Sequence, residues 1–129
     1  MKESVRHTFV IHASPEKVYN AWLDSDEHSR MTGGEAHCSN VEGDTFTAWD
    51  GYITGANLKL TPNQEIKQSW RTAEFEDEHE DSELVVRFET AEEGCEVTLI
   101  HTNIPAGQTQ YENGWIESYI KPMQRYFSE

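Results

Sequence analysis

An apolar stripe near the C-terminus, formed by Tyr111, Trp115, Tyr119, Ile120, Met123 and Phe127, recurs at helical spacing after about six segments that read as strands. A helix carrying so many rings on one side needs a sheet to bury them. The pattern predicts one curved antiparallel sheet wrapped around one C-terminal helix, an arrangement that can leave a cavity between the two. Val, Ile and Leu together number 19 against 14 Phe, Trp and Tyr, so rings must supply much of the core or line much of any cavity.

The elements can be placed in order along the chain. Val5 to His12 reads as a first strand, ended by Ser14-Pro15-Glu16: a cap, a proline suited to the first helical position and an acid at the positive end of the dipole. Val18, Ala21 and Trp22 follow at helical spacing, and Ser25-Asp26-Glu27 starts a second short helix that stops at Gly33-Gly34. From Glu35 the period changes to two, with turns at Glu42-Gly43-Asp44, Asp50-Gly51, Thr61-Pro62-Asn63 and Glu92-Glu93-Gly94. The strands between them are predicted as 36–41, 45–49, 52–60, 65–75, 83–90 and 95–103. Gly55 interrupts one of them and is expected to mark a bulge. The final helix is predicted over 108–128, with a kink at Pro122, which cannot donate to the carbonyl of Ser118. The acidic run from Glu76 to Asp81 falls at a hairpin tip. The fold class is thus α+β: about seven strands, two short helices after the first strand, and a long C-terminal helix.

At 129 residues the chain reads as one domain, 1–129, which would bury roughly two-thirds of the surface of its unfolded form. A net charge of -14 repels phosphate backbones and anionic lipid, arguing against nucleic-acid and membrane partners. No apolar run approaches the roughly 18 residues that span a bilayer, and Lys2 is followed by no apolar signal region, so a cytoplasmic location is expected. Cys38 and Cys95 are then expected as reduced thiols. The histidines His7, His12, His28, His37, His79 and His101 lack metal-site spacing, and the acidic run lacks the glycine and spaced oxygens of a calcium loop. Neither metal nor other cofactor is expected. His101 and Cys95 share a strand but stand six residues apart, roughly 20 Å, too far for proton transfer.

Alternation places Ile66, Gln68 and Trp70 on one strand face, Leu84, Val86 and Phe88 on a second, and Val97, Leu99 and His101 on a third. All three are assigned to the side that faces the helix. Gln68 and His101 are the polar members of this set. In an apolar setting each needs a hydrogen-bond partner or costs roughly 1–3 kcal/mol, so each either orients a ligand or is satisfied by a neighbour or by water.

Two blocks narrow the reading. The first runs from Phe46 through Trp49-Asp50-Gly51-Tyr52 to Gly55, then Asn57-Leu58, Leu60, Pro62-Asn63, and Ile66 to Ser69-Trp70-Arg71. The second is Thr102-Asn103-Ile104-Pro105, then Gly114-Trp115, Tyr119 and Pro122-Met123. In this order and spacing they resemble the activator of heat shock protein 90 ATPase homologue family of the START-like (SRPBCC) superfamily. The resemblance covers nearly the whole chain and implies the helix-grip fold. It implies two functions. In two-domain activators a domain similar to this one works beside a separate N-terminal domain to stimulate a chaperone's ATPase, and within these 129 residues that second domain is not expected. Single-domain members of the superfamily hold an apolar cavity for small molecules. Where relatives carry a Trp-Pro loop, this chain has its acidic run.

The resemblance thus implies binding of a small apolar or amphipathic molecule between sheet and helix, at a site expected to comprise Gln68, Trp70, Phe88, Leu99, His101, Trp115 and Tyr119. The alternative is a chaperone-associated factor. A cyclase- or hydrolase-type enzyme would need a cavity acid or base, for which His101 is the one candidate. No catalytic set stands out, and the chain is expected not to be an enzyme.

Overall fold

The computed structural model describes residues 3–76, 79–105 and 110–128. Strand β1 (Glu3–Ile11) leads into helices α1 (Pro15–Leu23) and α2 (Ser25–Thr32). The meander β2 (Thr45–Ala48), β3 (Ile53–Thr61), β4 (Glu65–Thr72), β5 (Ser82–Ala91) and β6 (Gly94–Ile104) follows. All pairings are antiparallel and the spatial order is β1-β6-β5-β4-β3-β2. Because β1 lies beside β6 while β2 forms the opposite edge, α1 and α2 carry the chain from one edge of the sheet to the other. Ser14 caps α1 by accepting from Lys17 N–H at 3.3 Å, Asp24 caps α2 through Glu27 N–H at 3.0 Å, and Gly33 ends α2 in the left-handed conformation.

The described sheet has six strands, one fewer than expected. The predicted strand over 36–41 is reduced to an isolated bridge between His37 and Thr47. Its backbone groups find other partners: Ala36 N–H and Cys38 N–H donate to the hydroxyls of Ser29 and Ser25 on α2, and the carbonyls of Ser39 and Val41 accept from Asn57 Nδ2. The expected bulge at Gly55 also moves. The β3–β4 register slips between Asn57 and Lys59, whereas Gly55 is required by close approach, since a Cβ there would lie 2.0 Å from the Ser69 carbonyl oxygen.

Near the end of β6 the backbone turns at Asn103, in the left-handed region at φ 63°. The C-terminal helix is described from Tyr111; its predicted start at Gln108 lies outside the described residues. It comprises α3 (Tyr111–Trp115), a π-helical turn (Ile116–Ile120) and α4 (Lys121–Tyr126). The irregularity therefore falls one turn before Pro122, not at it. The π turn closes with Lys121 N–H on the Ile116 carbonyl, and Pro122, which has no donor, stands directly after it at the second position of α4.

The three predicted strand faces all turn inward: Ile66, Gln68, Trp70, Leu84, Val86, Phe88, Val97, Leu99 and His101 are buried. Rings meet at the centre of the core, with centroids 5.1 Å apart for Trp70 on β4 and Trp115 on the C-terminal helix, 5.0 Å for Trp115 and Tyr119 along that helix, and 5.0 Å for Trp22 on α1 and Tyr119. Such rings bring polar N–H and O–H groups into the core, and three relays terminate them. Trp115 Nε1–H donates to His101 Nδ1 at 3.1 Å, His101 Nε2–H to Ser82 Oγ at 2.7 Å, and Ser82 to the Trp70 carbonyl. Tyr119 O–H donates to His28 Nε2 at 2.9 Å, and His28 Nδ1–H to the Trp22 carbonyl at 2.8 Å. Trp22 Nε1–H donates to Gln68 Oε1 at 3.2 Å, and Gln68 Nε2 to Asn57 Oδ1 at 2.9 Å.

The first two relays require neutral imidazoles in opposite tautomers, because each ring must donate through one nitrogen and accept through the other. Burial supplies the neutrality: it lowers the His101 pKa to about 4 and lowers that of His28 as well, against a backbone hydrogen bond that acts the other way.

Two predictions follow from the relays. With a folded pKa for His101 below its unfolded value, the unfolded chain takes up the proton first. Stability should be full above about pH 6.5 and decline as the pH falls to about 4, where protonation of the folded state ends the loss. The contribution of His101 is about 3 kcal/mol over that window, and His101→Gln should flatten that part of a denaturant-midpoint profile; an unchanged slope counts against a neutral buried imidazole. For Trp115, Trp115→Ala should cost about 3–5 kcal/mol and Trp115→Phe, which keeps a ring but strands His101 Nδ1, about 1–3 kcal/mol, read from chemical denaturation. A Trp115→Phe variant as stable as wild type would assign the whole effect to packing.

Candidate functional site

One side of the C-terminal helix is sealed against the sheet by the relays; the other is not. Between α3, the π turn, the end of β4 and the β2–β3 turn lies a cavity of about 380 Å³, partly open to solvent. The helix lines it with Gln110, Tyr111, Gly114, Trp115, Ser118 and Tyr119, the sheet with Ile53, Trp70 and Thr72, and the β2–β3 turn with Trp49 and Tyr52. Six of these residues are aromatic and none is charged.

The β2–β3 turn is held in an unusual shape. Trp49, Asp50 and Gly51 are consecutive left-handed residues at φ 53°, 59° and 92°. For a residue as large as Trp49 this conformation is strained, of order 1–3 kcal/mol. Two devices enforce it. Asp50 and Glu35 exchange bonds, Asp50 N–H to the Glu35 carbonyl at 2.9 Å and Glu35 N–H to Asp50 Oδ1 at 3.1 Å. Gly34 lets the indole of Trp49 lie against the backbone, where a Cβ would sit 2.5 Å from the ring.

The polar groups around the cavity are mostly committed. The hydroxyls of Thr72 and Tyr111 share a hydrogen bond of 2.6 Å, and Tyr52 O–H donates to Glu74 Oε1 at 2.6 Å. Burial, with that bond to Glu74, raises the Tyr52 pKa to about 12; burial also pushes the Tyr119 hydroxyl up. Trp49 Nε1–H faces the Tyr119 oxygen closely enough to favour the phenolate slightly, yet falls short of hydrogen-bond geometry and is buried with no partner. The walls are accordingly apolar, neutral at ordinary pH, and edged by hydroxyls.

Of the seven residues read from the sequence as a site, the structure brings Trp70, Trp115 and Tyr119 together on the cavity wall. Gln68, Phe88, Leu99 and His101 are enclosed in the core beyond it, with Gln68 and His101 occupied by the relays. Sequence reasoning missed the other lining residues: Trp49, Tyr52, Ile53, Thr72, Gln110, Tyr111, Gly114 and Ser118. Asp50-Gly51 marked a turn there, but nothing in the spacing shows that the turn folds inward. Gly114, inside a predicted helix, was the legible signal. The acidic run lies elsewhere: Arg71 gathers it, donating to the carbonyls of Glu76 at 2.9 Å and His79 at 2.8 Å and to Asp81 Oδ1 at 2.9 Å. Its Asp77 and Glu78 lie outside the described residues. Among the described residues no group of three His, Cys, Asp or Glu side chains could hold a metal ion, and no helix is long and apolar enough to cross a membrane.

Comparison with known proteins agrees with this architecture. A crystal structure of an HSP90 activator from Plasmodium falciparum superposes with a TM-score of 0.82 at 23% identity, covering 98% of this chain and 95% of that one. The solution structure of an Aha1 dimer from Colwellia psychrerythraea gives 0.81 at 20% identity, covering 98% and 97%. In sequence, the activator of 90 kDa heat shock protein ATPase homolog of Dictyostelium discoideum is 26% identical over 117 residues, which are 89% of this chain and 30% of that protein. The chain spans about a third of the length of the curated relatives it matches. The family model described as Activator of Hsp90 ATPase homolog 1-like protein matches residues 12–128, and the chain therefore belongs to that family.

Proposed function

We propose that this protein binds a small, uncharged, largely apolar molecule in the cavity between the C-terminal helix and the β2–β3 turn. The observation that carries this reading is the cavity itself: about 380 Å³, walled by six aromatic residues with no charged one among them. Small-molecule sites occupy roughly 300–1,000 Å³ and combine such walls with a few polar groups. Rings bind apolar surface strongly and the hydroxyl edges can fix orientation. Catalysis is not part of the reading. Both nitrogens of His101 are engaged, so it has no lone pair with which to take a substrate proton.

A second reading is favoured by the family and by the printed names of relatives, which describe activators of the heat shock protein 90 ATPase. On that reading the outer surface, with a net charge of -14, would meet a basic region of the chaperone. The two readings are compatible, since a filled cavity would stiffen the domain that presents the surface.

The test is titration with a panel of fatty alcohols, sterols and flavonoids. Three of the four tryptophans, Trp49, Trp70 and Trp115, line the cavity, so binding should change their emission saturably. A ligand at about 100 times its Kd should add about 2.7 kcal/mol of stability and raise the melting temperature. Ser118→Phe, which places a ring in the cavity, should abolish both responses without unfolding the chain. Absence of any saturable response, with stimulation of a purified chaperone's ATPase by the same sample, would replace the first reading by the second.

A further inference from the structure

Gly114 has no structural reason to be glycine. It lies within α3, its N–H bonded to the Gln110 carbonyl at 2.9 Å, and its backbone is outside the left-handed region. Glycine is the poorest ordinary residue at such a position, because it loses the most backbone freedom on folding. Nor does packing among the described residues require it: beyond its chain neighbours and its own helix backbone, a Cβ at Gly114 would meet none of their atoms within 4 Å. The contrast is with Gly34 and Gly55, where a Cβ would strike Trp49 at 2.5 Å and the Ser69 carbonyl oxygen at 2.0 Å. Those two are explained by close contacts inside the protein. The space that a side chain at Gly114 would enter is the cavity, which this residue lines.

We propose that Gly114 sets the size of the molecule that the cavity admits, the ligand's apolar body resting directly on the bare helix backbone between Tyr111 and Trp115. This rests on the reading that the cavity is a small-molecule site, and it assigns the residue that decides what fits. Ser118, one turn further on, extends the same low strip along the cavity wall. The occupant is an uncharged molecule with at least one ring: the walls offer aromatic faces on several sides, and no lining residue could neutralise a charge in so apolar a space.

The experiment uses N-phenyl-1-naphthylamine, a neutral ring-bearing dye that brightens on leaving water, titrated into the full chain and its Gly114→Ala and Gly114→Leu variants. Wild type should bind saturably. Gly114→Ala should melt about 2–5 °C higher without dye, because the methyl improves helix propensity and enters open space. Its dye affinity should nevertheless fall by about ten-fold or more, the effect of one methyl in a fitted apolar site. Gly114→Leu should still melt cooperatively and lose binding; if it fails to fold, the alanine variant alone decides. A lower melting temperature for Gly114→Ala would show that the position is packed and overturn the inference. So would wild-type-like affinity in a variant, in which case the cavity remains a binding site of different pose. No saturable binding to wild type removes the inference together with the reading beneath it.

Discussion

Rings that carry donors into the helix–sheet interface leave those donors in need of partners, and Trp22, Trp115 and Tyr119 find them in side-chain relays that finish on main-chain carbonyls. Trp115 reaches the Trp70 carbonyl through His101 and Ser82, and Tyr119 reaches the Trp22 carbonyl through His28. Trp22 reaches the carbonyls of Ser39 and Val41 through Gln68 and Asn57. These relays join the C-terminal helix and α1 to the sheet, and they fix the imidazoles as neutral and oppositely tautomeric. An unpaired donor in the same place would cost about 1–3 kcal/mol, so the helix cannot shift by a turn without leaving several groups unpaired. A core rich in rings thereby acquires one position for its helix.

With the helix fixed on one side, the cavity on the other is a consequence of what faces it. Gly114 and Ser118 are short where Tyr111, Trp115 and Tyr119 are long, and the opposing wall is a turn whose conformation is itself constrained. Trp49 is held left-handed by Gly34 beneath its ring and by the Glu35–Asp50 exchange beside it. Its unpartnered N–H adds a second local cost. Strain, an unsatisfied donor and a helical glycine thus gather around one void. Departures from local stability that cluster in this way are a mark of sites kept for binding.

The fold was largely legible in the sequence, because period-two alternation in β4, β5 and β6 and the ring stripe on the last helix are short-range signals. The inward faces of Ile66-Gln68-Trp70 and Val97-Leu99-His101 follow from alternation alone. Three features were not legible. The segment over 36–41 alternates like a strand, but its backbone groups are taken by Ser25 and Ser29 on α2, a competition visible only once α2 is docked. The π turn before Pro122 answers a crowding that sequence locates but whose resolution it leaves open. Gln68 and His101 read as ligand-facing because each is a polar residue on an apolar face, and their partners Trp22 and Ser82 stand 46 and 19 residues away. The cavity was therefore placed one layer too deep, within the relays and not outside them.

The account depends most directly on the protonation of two histidines. Long-range nitrogen–proton correlation spectra at pH 6 should show both rings neutral, with the proton of His101 on Nε2 and that of His28 on Nδ1. An imidazolium at either position, or the same tautomer at both, would contradict the relays and with them the placement of the helix that leaves the cavity open.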